Sequence, residues 1–175
     1  MRLESEKSKI ESFMVAMGKQ VRGKGRIYLT GGATAVLHGW RNMTIDIDIK
    51  PEPESAGLFE AIALSKDEPD VNVELASPDQ LIPALPGWRE RSLFIAIHGL
   101  IEFLHYDPYG QALAKLQRGH ERDLRDIQCF LRDGLIQKDR LRELFHLIEP
   151  QLIRHPAIDR AAFRAAVTQF HHEHR

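Results

Sequence analysis

A single cysteine, Cys129, stands in the 175-residue chain, which excludes an intrachain disulfide and fits a reducing compartment. Long apolar runs are missing too. The longest, Leu93 to Leu104, is interrupted by His98, Gly99 and Glu102 and falls well short of the ~20 residues a membrane span needs, so no membrane role is expected. The stretch from Met1 to Lys7 is charged and has no apolar core of signal-peptide type, which predicts a cytoplasmic protein. Neither sign of charge is in excess: 24 Lys and Arg face 25 Asp and Glu, giving no overall electrostatic footprint for nucleic acid. A local one stays open, because basic residues recur at Lys115, Arg118, Arg122, Arg125, Arg132, Lys138, Arg140 and Arg142. The simpler reading of that interspersed charge is a solvated helix face. Also absent are a Ser-His-Asp order, zinc-ligand spacing, a Walker A loop, internal repeats and low-complexity tracts.

The hydrophobic content is 43%, enough for one domain with a real core, or one domain with a helical appendage. Apolar residues at Ile10, Phe13, Met14, Met17 and Val21 follow helical spacing and predict an amphipathic helix over Leu3 to Val21. Gly23-Lys24-Gly25 ends it, and Arg26 to Thr30 reads as a strand running into Gly31-Gly32. A short helix is expected over Ala33 to His38, closed by Gly39. Ser55 is a candidate cap for a helix reaching Lys66, and Val71 to Leu75 alternates as a strand. Ser77 to Ser92, with three prolines and Gly87, reads as an ordered loop carrying one helical turn. Leu93 to Ile97 and Leu100 to His105 pattern as a hairpin joined at His98-Gly99. From Pro108 the periodicity is helical: Tyr109 to Arg118, Glu121 to Arg132, Lys138 to Ile148, and Ala157 to His171. The class expected is α+β, a mixed sheet flanked by helices over residues 1–107 and a helical section over 108–175.

The chemistry concentrates between residues 28 and 49. Ile45-Asp46-Ile47-Asp48-Ile49 alternates strictly, so as a strand it sends the isoleucines to one face and both acids to the other, about 6.6 Å apart. Like charges at that distance beside a buried strand call for something positive. A divalent cation with hard oxygen preferences, Mg²⁺ or Mn²⁺, answers that. The preceding Gly31-Gly32 lets a ligand approach the backbone closely, and a helix starting there offers amides to a phosphate. A phosphate cradle and a metal-holding acid pair are the equipment of phosphoryl transfer.

Gly31-Gly32-x-x-Ala35 followed by Arg41, Thr44 and Asp46-x-Asp48 resembles the signature of the polymerase-β-like nucleotidyltransferase superfamily. The likeness is to its minimal, toxin-type branch, which includes the AbiEii-like proteins and related uncharacterised bacterial families. Downstream, Lys115-Leu116 and then Arg122-Asp123-Leu124-x-Asp126-Ile127 is similar to a helix pair those families carry. The resemblance implies a nucleotidyltransferase-like fold in which Gly31 and Gly32 contact the nucleotide phosphates and Asp46 and Asp48 hold metal ions. Arg41 and Thr44 would flank the pocket, Lys115 would face the triphosphate, and Arg122, Asp123 and Asp126 would tie helices together. It also implies a third carboxylate on a neighbouring strand: Glu74, which shares a face with Asn72, or else Glu102. That group is the candidate base for the attacking hydroxyl.

The activity so implied is metal-dependent transfer of a nucleoside monophosphate from an NTP to a hydroxyl of RNA, such as tRNA, or of a protein. The chain would be the toxin-like half of a toxin–antitoxin pair with a cognate antitoxin. Two positions depart from the pattern. Ala33 stands where the branch commonly has serine, and the third acid is Glu rather than Asp, a difference of one methylene where geometry matters at the ~1 Å level. The alternative is therefore a catalytically degenerate fold that binds nucleotide or a partner without turnover. Elsewhere, His171, His172 and His174 read as a frayed polar tail, His38 as a capping or packing residue, and Cys129 as core.

Overall fold

The computed structural model describes residues 5–67 and 69–173. Two compact units emerge: one runs to Ser77 and takes in Ser92–Tyr106, and the other comprises Pro78–Arg91 and the chain from Asp107 onward.

In the first unit β1 (Ser5–Glu6) leads into α1 (Lys7–Gln20), β2 (Gly25–Thr30), α2 (Gly31–Leu37), β3 (Met43–Thr44), β4 (Asp46–Pro51), α3 (Leu58–Ser65) and β5 (Asn72–Leu75). The hairpin β6 (Leu93–His98) and β7 (Ile101–His105) completes it. Five strands form a mixed sheet in the order β5-β4-β2-β7-β6, with β4–β5 and β2–β7 parallel and the other two pairings antiparallel. A separate antiparallel pair joins β1 to β3, matching Ser5 to Thr44. The alternation in the strands decides which face is buried. Ile27, Leu29, Ile47, Ile49, Ile101 and Phe103 form one core with Ile10, Phe13, Met14 and Met17 of the α1 stripe, each at most 2% exposed. Burying such side chains is the dominant favourable contribution to folding.

Three local expectations are corrected. Ile45 lies in a bend between β3 and β4 and is exposed, so only Ile47 and Ile49 of the expected triplet reach the core. The chain turns there because β3 pairs with β1 while β4 pairs with β2, and the Thr44 hydroxyl donates to the Asp46 carbonyl at 3.2 Å. Helix α2 begins at Gly31, two residues earlier than its pattern suggests. Ser55 does not cap α3: Gly57, at φ 77°, occupies the N-cap, and the Ser55 carbonyl accepts from Leu58 N at 3.2 Å.

The second unit holds α4 (Trp88–Arg91), α5 (Pro108–Arg118), α6 (Glu121–Arg132), α7 (Lys138–Ile148) and α8 (Arg160–His172). It therefore includes the proline-rich segment expected as an ordered loop with one helical turn, a turn that α4 supplies. Asp107, wholly buried, caps α5 by accepting from Tyr109 N at 3.1 Å and receives a forked bond from Arg91, whose Nη2 lies 2.6 Å from Oδ2. Leu141, Leu144, Phe145 and Ile148 of α7 form a buried stripe, as do Phe163, Val167 and Phe170 of α8, and the Phe145 and Phe163 rings meet edge to face at 4.9 Å. His171 belongs to α8 rather than to a frayed tail: it is buried, and Nε2 lies 2.7 Å from Asp139 Oδ1. His174 lies outside the described residues. Cys129 is half-buried, one position off the Ile127–Phe130 stripe. Among the described residues no helix is long and apolar enough to cross a membrane.

Candidate active site

The register of the sheet determines which acids can act together. Asp48 is the Cα partner of Glu74 on one side and of Thr30 on the other, and Asp46 is the partner of Asn72. Glu74, Asp48 and Thr30 thus form a row across three strands at ~4.8 Å spacing, and Asn72 and Asp46 sit on the same face one step along. Asp46 and Asp48 are half-buried, while Glu74, on the outer strand, is exposed. The Asn72 amide donates to Asp46 Oδ1 and fixes that carboxylate's orientation.

The glycine pair meets this row directly. Gly31 adopts φ 62°, a conformation that disfavours any side chain, and a Cβ there would lie 2.7 Å from Asp48 Oδ2. At Gly32 a Cβ would lie 2.0 Å from Thr44 Oγ1. A Cβ at either position would have to displace the side chain beside it, and at Gly31 the positive φ disfavours one as well. The structure brings Gly31, Gly32, Thr44, Asp46, Asp48 and Glu74 to one edge of the sheet. Arg41 sits in the turn after α2, half-buried, with its backbone N donating to Ala35 O at 3.3 Å.

Lys115 is engaged elsewhere. It is 4% exposed, and its ammonium donates to Asp123 Oδ1 at 3.1 Å and Asp126 Oδ2 at 2.7 Å. A buried ammonium needs such partners, because desolvating it alone is prohibitive. Its ammonium thereby joins α5 to α6 in an ion-pair cluster. Arg118 supplies the second cation to Asp123 at 2.8 Å, and Arg122 is exposed. Burial alone would raise the Asp123 carboxyl, but the charges and hydrogen bonds of Lys115 and Arg118 outweigh it and hold the group below the usual carboxylate value. Glu102 shares the sheet face of Asp48, yet it lies opposite Arg26 and is paired with it at 3.0 Å. Arg26 is four residues from Thr30 along β2, about 13 Å away, so Glu102 does not belong to the acid row.

Asn72 was legible only as a neighbour of Glu74 on an alternating strand, with no role attached. His105 gave no signal at all. It is buried at the end of β7, and its Nδ1 lies 3.1 Å from Thr34 Oγ1 on α2, whose hydroxyl donates to Leu29 O at 3.3 Å. The ring stacks on His38 at 4.4 Å, and His38 on Trp40 at 4.6 Å. Burial first, then the neighbouring His38, pushes the His105 pKa down to about 3. Kept neutral, it anchors the helix that starts at Gly31.

Among the described residues no group of three or more His, Cys, Asp or Glu closes into a metal-binding cluster, so Asp46, Asp48 and Glu74 do not form a ready-made cage. The donor set nevertheless suits a hard divalent cation. It consists of carboxylate oxygens, and Mg²⁺ is typically held by one or two carboxylates completed by substrate phosphates and water.

A family described as a nucleotidyltransferase of unknown function (DUF6036) matches residues 9–174. No curated protein and no solved structure gives a match.

Proposed function

Because the chain belongs to this family of nucleotidyltransferases, we propose that it transfers a nucleoside monophosphate from an NTP to a hydroxyl at the Gly31–Asp48–Glu74 edge. The observation that carries the reading is the direct abutment of Gly31 on Asp48 Oδ2. It puts the backbone that can receive phosphate against the carboxylate that can receive the cation. Nucleotidyltransferases generally use divalent metals, and Mg²⁺ or Mn²⁺ held by Asp46 and Asp48 would supply charge neutralisation at the phosphates.

The chain's own residues do the rest. Gly31 and Gly32 keep the strand end clear for the phosphates, and Thr44 shapes the rim against Gly32. Asn72 holds Asp46 in place, and Glu74 takes the proton of the attacking hydroxyl. The hydroxyl oxygen bonds to the α-phosphorus, the bond to the β-phosphate bridging oxygen breaks, and pyrophosphate leaves. The acceptor is an RNA end, such as that of tRNA, or a protein side chain in the cytoplasm. In this reading the chain is a relative of the AbiEii-like toxins, with a cognate antitoxin as its partner.

The test is incubation with each NTP labelled at the α-phosphate, Mg²⁺ or Mn²⁺, and cellular RNA and protein fractions. Label should pass to one fraction with wild type and not with Asp48→Asn. The departures at Ala33 and Glu74 favour a second reading, a nucleotide-binding module without turnover. Binding of NTP with no transfer in wild type or in Ala33→Ser would establish that reading and end the first.

A further inference from the structure

The two outer strands of the five-stranded sheet differ sharply. β5 carries Asn72 and Glu74, whereas β6, Leu93-Phe94-Ile95-Ala96-Ile97-His98, has no Lys, Arg, Asp or Glu. Outer strands are commonly guarded by charge, because an apolar one invites association. A bulge makes β6 more apolar on one side than its sequence suggests. Phe94 pairs with Leu104 and Ala96 with Phe103, so Ile95 is the extra residue. Strict alternation would send positions 94 and 97 to opposite faces. The register instead puts Phe94 and Ile97 on the face of Leu104 and Glu102. They are 62% and 63% exposed, and Leu100 beyond the turn is 46% exposed.

Beside Ile97 lies a cleft of about 560 Å³ lined by Lys24, Arg26, Pro53, Ile97, Leu100 and Glu102. Its charges do not cancel. Arg26 is matched by Glu102 at 3.0 Å, while Lys24 is exposed and has no ion-pair partner among the described residues. The complement of apolar walls with one unmatched cation is an apolar group beside a carboxylate. A small molecule filling the cleft would leave Phe94 uncovered, about 10 Å along the strand from Ile97. A polypeptide segment spans both.

We propose that this face of β6 and its cleft dock an acidic polypeptide segment, seating apolar side chains on Phe94, Ile97 and Leu100 and a carboxylate against Lys24. This surface stands apart from the acid row, so its fate does not depend on the transferase reading. The test uses the full chain and two blocked, fluorescently labelled heptapeptides, one alternating valine with aspartate and one alternating valine with lysine. Fluorescence anisotropy should show the acidic peptide binding about tenfold tighter than the basic one, and Lys24→Glu should reverse the order. Phe94→Gln and Ile97→Gln, both at exposed positions and checked for unchanged melting, should each weaken the acidic peptide about tenfold. Equal affinity for both peptides, no binding at millimolar concentration, or indifference to the two glutamine variants overturns the proposal. So does a sedimenting wild-type dimer that both glutamine variants return to monomer, since the occupant is then a second copy.

Discussion

His105 ties the folding of the first unit to acidity, and the size of the effect follows from its surroundings. Its folded pKa, about 3, lies below the ordinary 6.5 because burial and the stacked His38 disfavour the imidazolium. A histidine held neutral in the fold stabilises it fully above the ordinary value. That stability is lost as pH falls from about 6.5 toward about 3, because the unfolded chain gains a proton the native chain refuses. At about pH 5 the loss is about 2 kcal/mol, from ~1.5 pH units at ~1.4 kcal/mol each. Asp123 and Glu149, both held below the usual carboxylate value, also lose stability in acid, so a variant must isolate the histidine. His105→Asn keeps a nitrogen at the Nδ1 position facing Thr34 and cannot titrate. Urea unfolding of both proteins at about pH 7.5 and about pH 5 should show the wild type losing about 2 kcal/mol more than the variant. Equal losses would mean that the ring is protonated without cost, and the account of its burial would fall.

Four other outcomes follow from particular contacts. Arg91→Ala should cost about 3–5 kcal/mol at neutral pH by stranding the buried Asp107 carboxylate. Burial already raises the Asp107 pKa despite Arg91, so the deficit should shrink as pH falls through the acid range; a pH-independent deficit in chemical denaturation would refute this. Gly31→Ala should cost about 1–3 kcal/mol from its φ alone and abolish transfer by pushing on Asp48; an active, equally stable variant would remove Gly31 from the site. Mg²⁺ with NTP should raise the wild-type melting temperature by mass action and leave Asp46→Asn/Asp48→Asn unmoved, with identical responses counting against the cation site. Lys115→Met should destabilise the helical unit by removing the ammonium that Asp123 and Asp126 share, and a loss of nucleotide binding at unchanged stability would place Lys115 at the triphosphate.

Much of the fold could be read from short-range pattern, because period and punctuation are local properties. Glu121–Arg132 and Lys138–Ile148 have the ends their periodicity gives, and Gly119 and Gly134 both adopt φ 70° where the pattern breaks. What pattern missed came from pairing partners distant in sequence. Ile45 belongs to an unbroken alternation and still leaves the strand, since the β1–β3 pair takes the chain elsewhere. The bulge at Ile95 leaves no mark in Leu93-Phe94-Ile95-Ala96, which reads as continuous strand.

The acid row shows the same division. Asp46 and Asp48 share a face by parity alone, and so do Asn72 and Glu74, but only the parallel register of β4 on β5 decides that Asp48 stands beside Glu74 and Asp46 beside Asn72. A slip of one residue would have turned Glu74 to the core side and put Val73 in the row. Lys115 shows the complementary case. Spacing located it on a helix without saying that Asp123 and Asp126, one helix further on, would close over its ammonium. A motif match assigns a residue to an element, whereas its chemistry depends on which opposite charge reaches it first in the folded chain. By that criterion the Lys115 ammonium has its counter-charges inside the helical unit, on Asp123 and Asp126, while Asp48 stands against a glycine and beside a carboxylate.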